Sequence, residues 1–165
     1  MSDLEFLKQV NETIETNKED MISSLSHLLQ IPSVAVETPG AYPFGENVQK
    51  AYDAMLDMAR EEGFAVYTAD NYGGHIDFAG KGEGIVGVVG HLDVVPVGDG
   101  WSFDPYGGEV KDGWICGRGT TDDKGPVIAS FYGMKALKAC GYEPKKTIRL
   151  ILGLDEETNW HGMDH

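Results

Sequence analysis

The chain has 165 residues, 41% hydrophobic and 24% charged, enough for one soluble globular domain with a proper core. Thirteen basic against 27 acidic residues give a formal net charge of −14, which argues against nucleic acid or an anionic membrane as partner and fits a cytoplasmic protein. No apolar run approaches membrane-spanning length, and Cys116 and Cys140, without CxxC spacing, speak against a disulfide framework or a thiolate zinc site. Both cysteines are expected to be small buried hydrophobes.

From Ser2 to Gln30 the pattern is helical, with one stripe of Leu4, Leu7, Val10 and Ile14 and a second of Met21, Ile22, Leu25, Leu28 and Leu29. The polar stretch 15–20 between them is a break or a solvated face. Ile31-Pro32 ends the element, because the residue before proline leaves the α region. After a loop over 33–43, a helix is predicted from about Glu46 to Glu62, turning Val48, Ala51, Met55, Met58 and Ala59 inward, with Gly63 as its stop. Phe64 to Ala69 and His75 to Ala79 read as short strands around a turn-rich connection.

Ile85-Val86-Gly87-Val88-Val89 is a β-branched run that reads as a buried parallel strand, covered on both faces and leading into Gly90-His91-Leu92-Asp93. A loop rich in Gly, Pro and aromatics follows from Pro96 to Tyr106. Asp112-Gly113 between 109–111 and 114–116 is a hairpin signal. A helix from about Lys124 to Cys140 stops at Gly141, and Thr147 to Leu154 is a second buried strand. The alternation predicts an α/β domain, a mixed sheet with helices on both faces.

Three clusters of imidazole and carboxylate stand at element ends, where ligands of open α/β sheets collect. The first is His91-x-Asp93, two residues apart and so on one face of an extended backbone. It is either a metal-bound histidine held by Asp93 or a polar strand terminus. The second is Asp122-Asp123, within Gly117-Arg118-Gly119-Thr120-Thr121-Asp122-Asp123-Lys124-Gly125-Pro126; its plain reading is a helix N-cap. The third is Asp155-Glu156-Glu157, a metal-site component or a solvated strand exit. Together they suggest zinc, manganese or cobalt held without thiolates, as two-metal hydrolysis requires. No GxSxG elbow and no Walker A sequence occur.

Gly90-His91-Leu92-Asp93-Val94-Val95-Pro96, Gly100-Trp101-x-x-Asp104-Pro105, the 117–126 segment and Asp155-Glu156-Glu157-Thr158-Asn159-Trp160, in this order, resemble the M20 metallopeptidase family. The similarity runs from about residue 10 to the end. Glu-Glu-Thr-Asn-Trp and the Tyr-Gly-Met-Lys-Ala-Leu helix bring it nearest the bacterial dipeptidases of PepV type. The resemblance implies a three-layer α/β/α zinc-exopeptidase-like domain and a site for two zinc ions. In it, His91 ligates one zinc and Asp93 orients it, Asp122 bridges both, and Glu157 ligates the second. Glu156 is the general base for the attacking water, and the Asp122–Asp123 peptide is often cis. The implied substrates are dipeptides.

Family members are two to three times longer. They supply a further Asp and His ligand, as well as a lid domain, beyond the point this sequence reaches. The expectation is therefore a truncated chain: residues 1–165 as the N-terminal portion of the catalytic domain, with weak metal binding and little turnover alone. His161 and His165 do not stand at those ligand positions. Two alternatives are an M20-type aminoacylase or deacylase acting on N-acyl amino acids, and a non-catalytic fragment. Dipeptide specificity and oligomeric state are not legible.

Overall fold

The computed structural model describes residues 2–165. Ser2 opens α1 (Asp3–Thr16) with a reciprocal cap, its Oγ accepting from the Glu5 amide while the Glu5 carboxylate accepts from the Ser2 amide. Asn17 separates α1 from α2 (Lys18–Leu29), so the polar stretch is a break. Of the first apolar stripe only Val10 is buried; Leu4 and Leu7 are exposed. The second stripe supplies Leu25, Leu28 and Leu29 to the core.

α3 (Glu46–Glu61) runs into Gly63, whose φ of 70° is the left-handed turn that ends it. β1 (Ala65–Ala69) and β2 (Gly73–Phe78) form an antiparallel pair. β3 (Ile85–His91) follows, then the short hairpin β4 (Glu109–Lys111) and β5 (Trp114–Cys116). Asp112 and Gly113 both take positive φ there, as a two-residue hairpin turn requires. α4 (Lys124–Ala139), β6 (Thr147–Gly153) and the single turn α5 (His161–Asp164) complete the chain.

The main sheet has the order β1-β2-β6-β3, with β6 antiparallel to β2 and parallel to β3. It is the mixed α/β sheet expected. Ile76, Leu150 and Leu152 point from it into a core shared with Tyr52, Met55 and Leu56 of α3 and Val127, Ile128 and Phe131 of α4. α3 and α4 thus lie on one face, and α1 and α2 pack over α4. Among the described residues, the opposite face carries Tyr67, His75, Asp77 and Arg149 with no long helix laid on it, so one of the two expected helical layers is formed here.

Two expectations change. β3 is the sheet edge, not a strand covered on both faces: Ile85, Val86 and Val89 are 51%, 52% and 56% exposed. At its carboxyl end Gly90 lies against Val127 of α4. Cys116 and Cys140 are free and half-buried rather than buried. The spacing Gly82, Gly84, Gly87 spells GxGxxG, but it leads into β3 instead of joining a strand to a helix, so it forms no dinucleotide turn.

Candidate metal centre

β3 and β6 are parallel and in register from Ile85↔Thr147 to His91↔Gly153, so their carboxyl ends arrive side by side. That geometry carries His91 and Asp93 to one edge of a small basin and Glu156 and Glu157 to another. The α4 N-terminus brings Asp122 and Asp123 to the third. His91 Nε2, Asp122 and Glu157 offer donor atoms all within 4.8 Å of one another. Glu156 Oε2 stands 3.7 Å from the same imidazole nitrogen.

Asp93 is fully buried beneath this basin. Its Oδ1 lies 3.2 Å from His91 Nδ1 and accepts from the Glu156 amide at 3.1 Å; its Oδ2 accepts from the Glu157 amide at 2.9 Å. The main-chain oxygen of Asp93 also lies 3.1 Å from His91 Nδ1, so this one residue fixes the imidazole while its carboxylate holds the backbone that presents both glutamates. With Nδ1 so engaged, Nε2 faces Asp122 Oδ1 at 3.1 Å. Asp122, 72% exposed, is the open side of the basin.

The peptide between Asp122 and Asp123 is cis. Asp123 makes no capping bond to α4; its Oδ2 instead accepts from the His91 amide at 3.1 Å. Gly90 permits this, since a Cβ there would meet Asp123 Oδ2 at 2.8 Å and Val127. The N-cap alternative for Asp123 is thus replaced by a strand-to-loop tie.

The electrostatics are those of a crowded anionic basin. Burial disfavours a charged His91, but the hydrogen bond and charge of Asp93, with Asp123 and Asp122, override it and raise its pKa to about 9. Burial pushes Asp123 above the usual carboxylate range. Glu157 is pushed up by burial, then by the charge of Asp122. One imidazole and two carboxylates, without thiolate, match borderline and hard divalent cations. The carboxylate behind the imidazole is the usual support of a histidine ligand. The residues fit a metal ion.

The structure brings together all five residues singled out in the sequence: His91, Asp93, Asp122, Glu156 and Glu157. It gives Asp123, read from the sequence as a possible N-cap, a bond to the His91 amide, and it adds Lys124, which sequence reasoning passed over. Lys124 opens α4 fully buried, and burial lowers its ammonium to about 8. His161 and His165 stay apart from the basin, beside Glu37 and Asp70. Asp155 is buried as well, with one carboxylate oxygen accepting from the Gly162 amide.

Residues 87–165 match the model of peptidase family M20/M25/M40. A Beta-Ala-Xaa dipeptidase of Lactobacillus delbrueckii subsp. lactis is 40% identical over 157 residues, 93% of this chain and 33% of its own. YtjP of Bacillus subtilis is 43% identical over 151 residues, 90% of this chain and 32% of its own. Residues 87–165 are M20-family sequence. Human carnosine dipeptidase 1 superposes with a TM-score of 0.78 at 28% identity, covering 92% of this chain and 35% of that one. The Saccharomyces cerevisiae dipeptidase Dug1p shares the fold, with a TM-score of 0.81 at 24% identity over 96% and 36% of the two chains. The chain spans about a third of the length of these M20 relatives.

Proposed function

We propose that residues 1–165 are the N-terminal portion of the catalytic domain of a zinc-dependent dipeptidase with a two-ion site. The observation that carries the reading is the convergence of His91, Asp122 and Glu157 within 4.8 Å above a buried Asp93. His91 and Glu157 are assigned as ligands of different ions and Asp122 as the carboxylate they share. Ions bound there would supply polarisation of the scissile carbonyl and a lowered pKa for water. Glu156 is the base that takes the proton from the attacking water, being near the basin yet half exposed. Asp93 acts behind it, holding the imidazole tautomer and the Glu156 and Glu157 amides at once.

Dipeptides as substrates follow from the kinship with a Beta-Ala-Xaa dipeptidase and a carnosine dipeptidase. Two unpaired cysteines suit a reducing compartment, which supports a cytoplasmic setting. Among the described residues no helix is long and apolar enough to cross a membrane.

Zinc titration of the 165-residue chain by calorimetry, with hydrolysis of a dipeptide panel and of N-acetyl amino acids on the same sample, tests the reading. Zinc binding that disappears in His91→Ala is expected. Unchanged binding in His91→Ala would overturn it. Turnover confined to N-acetyl amino acids would replace dipeptidase by deacylase. Any dipeptide turnover should vanish in Glu156→Gln with zinc binding retained.

A further inference from the structure

The three donor-bearing segments come from distant parts of the chain, and Asp93 ties only two of them, the ends of β3 and β6. Asp122, on the loop before α4, is held so far only by its own contact with His91 Nε2 and by the Asp123 bond to the His91 amide, both at the rim of the basin. Lys124 fills that gap. Its side chain is wholly buried, which is rare for lysine. It runs back beneath its own loop, where Gly119 packs against its stem; a Cβ on Gly119 would stand 3.2 Å from Lys124 Cδ and 3.0 Å from Val94. Nζ then donates to the carbonyl of Leu28 at 2.8 Å and of Ile31 at 2.7 Å, at the exit of α2, where the same two carbonyls also accept the amides of Ile31 and Ser33.

That same α2 exit is bound to β3. Ser33 Oγ donates to the Leu92 carbonyl at 2.7 Å, and the Val94 amide donates to the Ser33 carbonyl at 3.0 Å. Ser33 is also fully buried. Leu92 and Val94 flank Asp93. The segment 28–33 is thus bonded to the His91–Asp93 strand exit on one side and to the Asp122 loop on the other.

We infer that Lys124 is a positioning residue for the metal centre: its ammonium, seated on the carbonyls of Leu28 and Ile31, sets the separation of Asp122 from His91 through the 28–33 segment and Ser33. This rests on the proposed metal-binding reading. A cation is suited to the task, because a charged donor makes short, strong bonds to two carbonyls at once. The long stem lets the anchor point lie on another element. The loss of such a support behind a ligand typically costs metal affinity about 10-fold to 100-fold.

The test compares the wild-type chain with Lys124→Met and Ser33→Ala, using zinc by calorimetry and 113Cd NMR as a report on the donor set. Fold retention is read by circular dichroism of the metal-free proteins. Folded Lys124→Met that binds zinc about tenfold or more weakly, with a displaced or broadened 113Cd resonance, is expected. Ser33→Ala, a milder cut at the other end of the same tether, should weaken zinc in the same direction by a smaller factor. Lys124→Met with wild-type zinc affinity and an unmoved 113Cd resonance would overturn the inference while leaving the metal site standing. If Lys124→Met does not fold, Ser33→Ala decides: unchanged affinity and resonance in it overturn the tether. If the wild-type chain binds no zinc, the metal-binding reading itself fails and takes this inference with it.

Discussion

β3 and β6 are alike in sequence and opposite in circumstance. Ile-Val-Gly-Val-Val-Gly-His and Thr-Ile-Arg-Leu-Ile-Leu-Gly are both apolar runs of seven, parallel to each other, and each ends in the residues of the candidate site. β6 is paired on both sides, with Leu150 and Leu152 fully buried; β3 is paired on one side, and Val88, the register partner of Leu150, is 39% exposed. Their carboxyl ends are nevertheless equally well held, by Asp93. The contrast separates two things an apolar strand does. It aims donor residues, which needs only one neighbour in register, and it fills a core, which needs covers on both faces.

The sharpest way to break the comparison is by truncating the register partners. Leu150→Ala should lower stability by about 2–5 kcal/mol in urea unfolding, the usual cost of deleting a buried leucine side chain. Val88→Ala, one strand away, should cost less than about 1 kcal/mol. Equal losses would mean that β3 is covered in solution.

Asp93→Ala attacks what the two strands share. It leaves the Glu156 and Glu157 amides without their acceptor in a buried place and removes the carboxylate charge beside His91, whose Nδ1 keeps the Asp93 main-chain oxygen at 3.1 Å. About 2–4 kcal/mol is expected, with a smaller loss for Asp93→Asn, which keeps one acceptor oxygen. If Asn and Ala were equally mild, the carboxylate would not be the link between the strand ends.

The donors were legible in the sequence because each cluster is local. His91-x-Asp93, Asp122-Asp123 and Glu156-Glu157 sit next to a glycine, a helix start or a strand end, and these signals span a few residues. Strand existence was equally readable: β1, β2, β3 and β6 lie within one or two residues of their expected limits. What covers a strand is a non-local fact. Nothing in Ile85–Val89 says whether a neighbour lies on its far side, so the reading of β3 as covered on both faces failed on exposure alone. Lys124 was missed for a related reason. A lysine at a helix start normally reaches solvent, and only contact with carbonyls more than ninety residues earlier turns it inward. The glycines around it, at 117, 119 and 125, were the one available hint that the loop folds tightly over something.

An exposed apolar edge without charge invites pairing with another chain. Val89→Lys should reduce self-association of the 165-residue chain in sedimentation velocity. Its effect on unfolding free energy should stay within about 0.5 kcal/mol, as for an exposed site. A large stability loss with unchanged association would show that Val89 is packed, and would move β3 toward the condition of β6.

The smallest effect concerns what stabilises β6 on its open face. Arg149 donates through Nε and a terminal nitrogen to the two carboxylate oxygens of Asp77, its register partner on β2, at 2.8 and 2.7 Å. This bidentate bond holds the Asp77 carboxyl below its ordinary value, against the opposing effect of burial. His75, 3.7 Å from Asp77, has its pKa lowered chiefly by burial, then by the charge of Arg149, and so is neutral near pH 7. Arg149 is then the charged partner that matters. Because the folded-state pKa is the lower one, an acidifying unfolded chain takes up its proton first. The pair's contribution is complete above the unfolded value of about 4 and fades as pH falls through the folded value. Asp77→Asn should therefore destabilise the protein most at pH 6–7, with the difference from wild type shrinking toward zero in strong acid. A difference that stays constant with pH would mean that the lateral tie is one of shape and hydrogen bonding. β6 would then owe its ordered open face to its two neighbours rather than to charge.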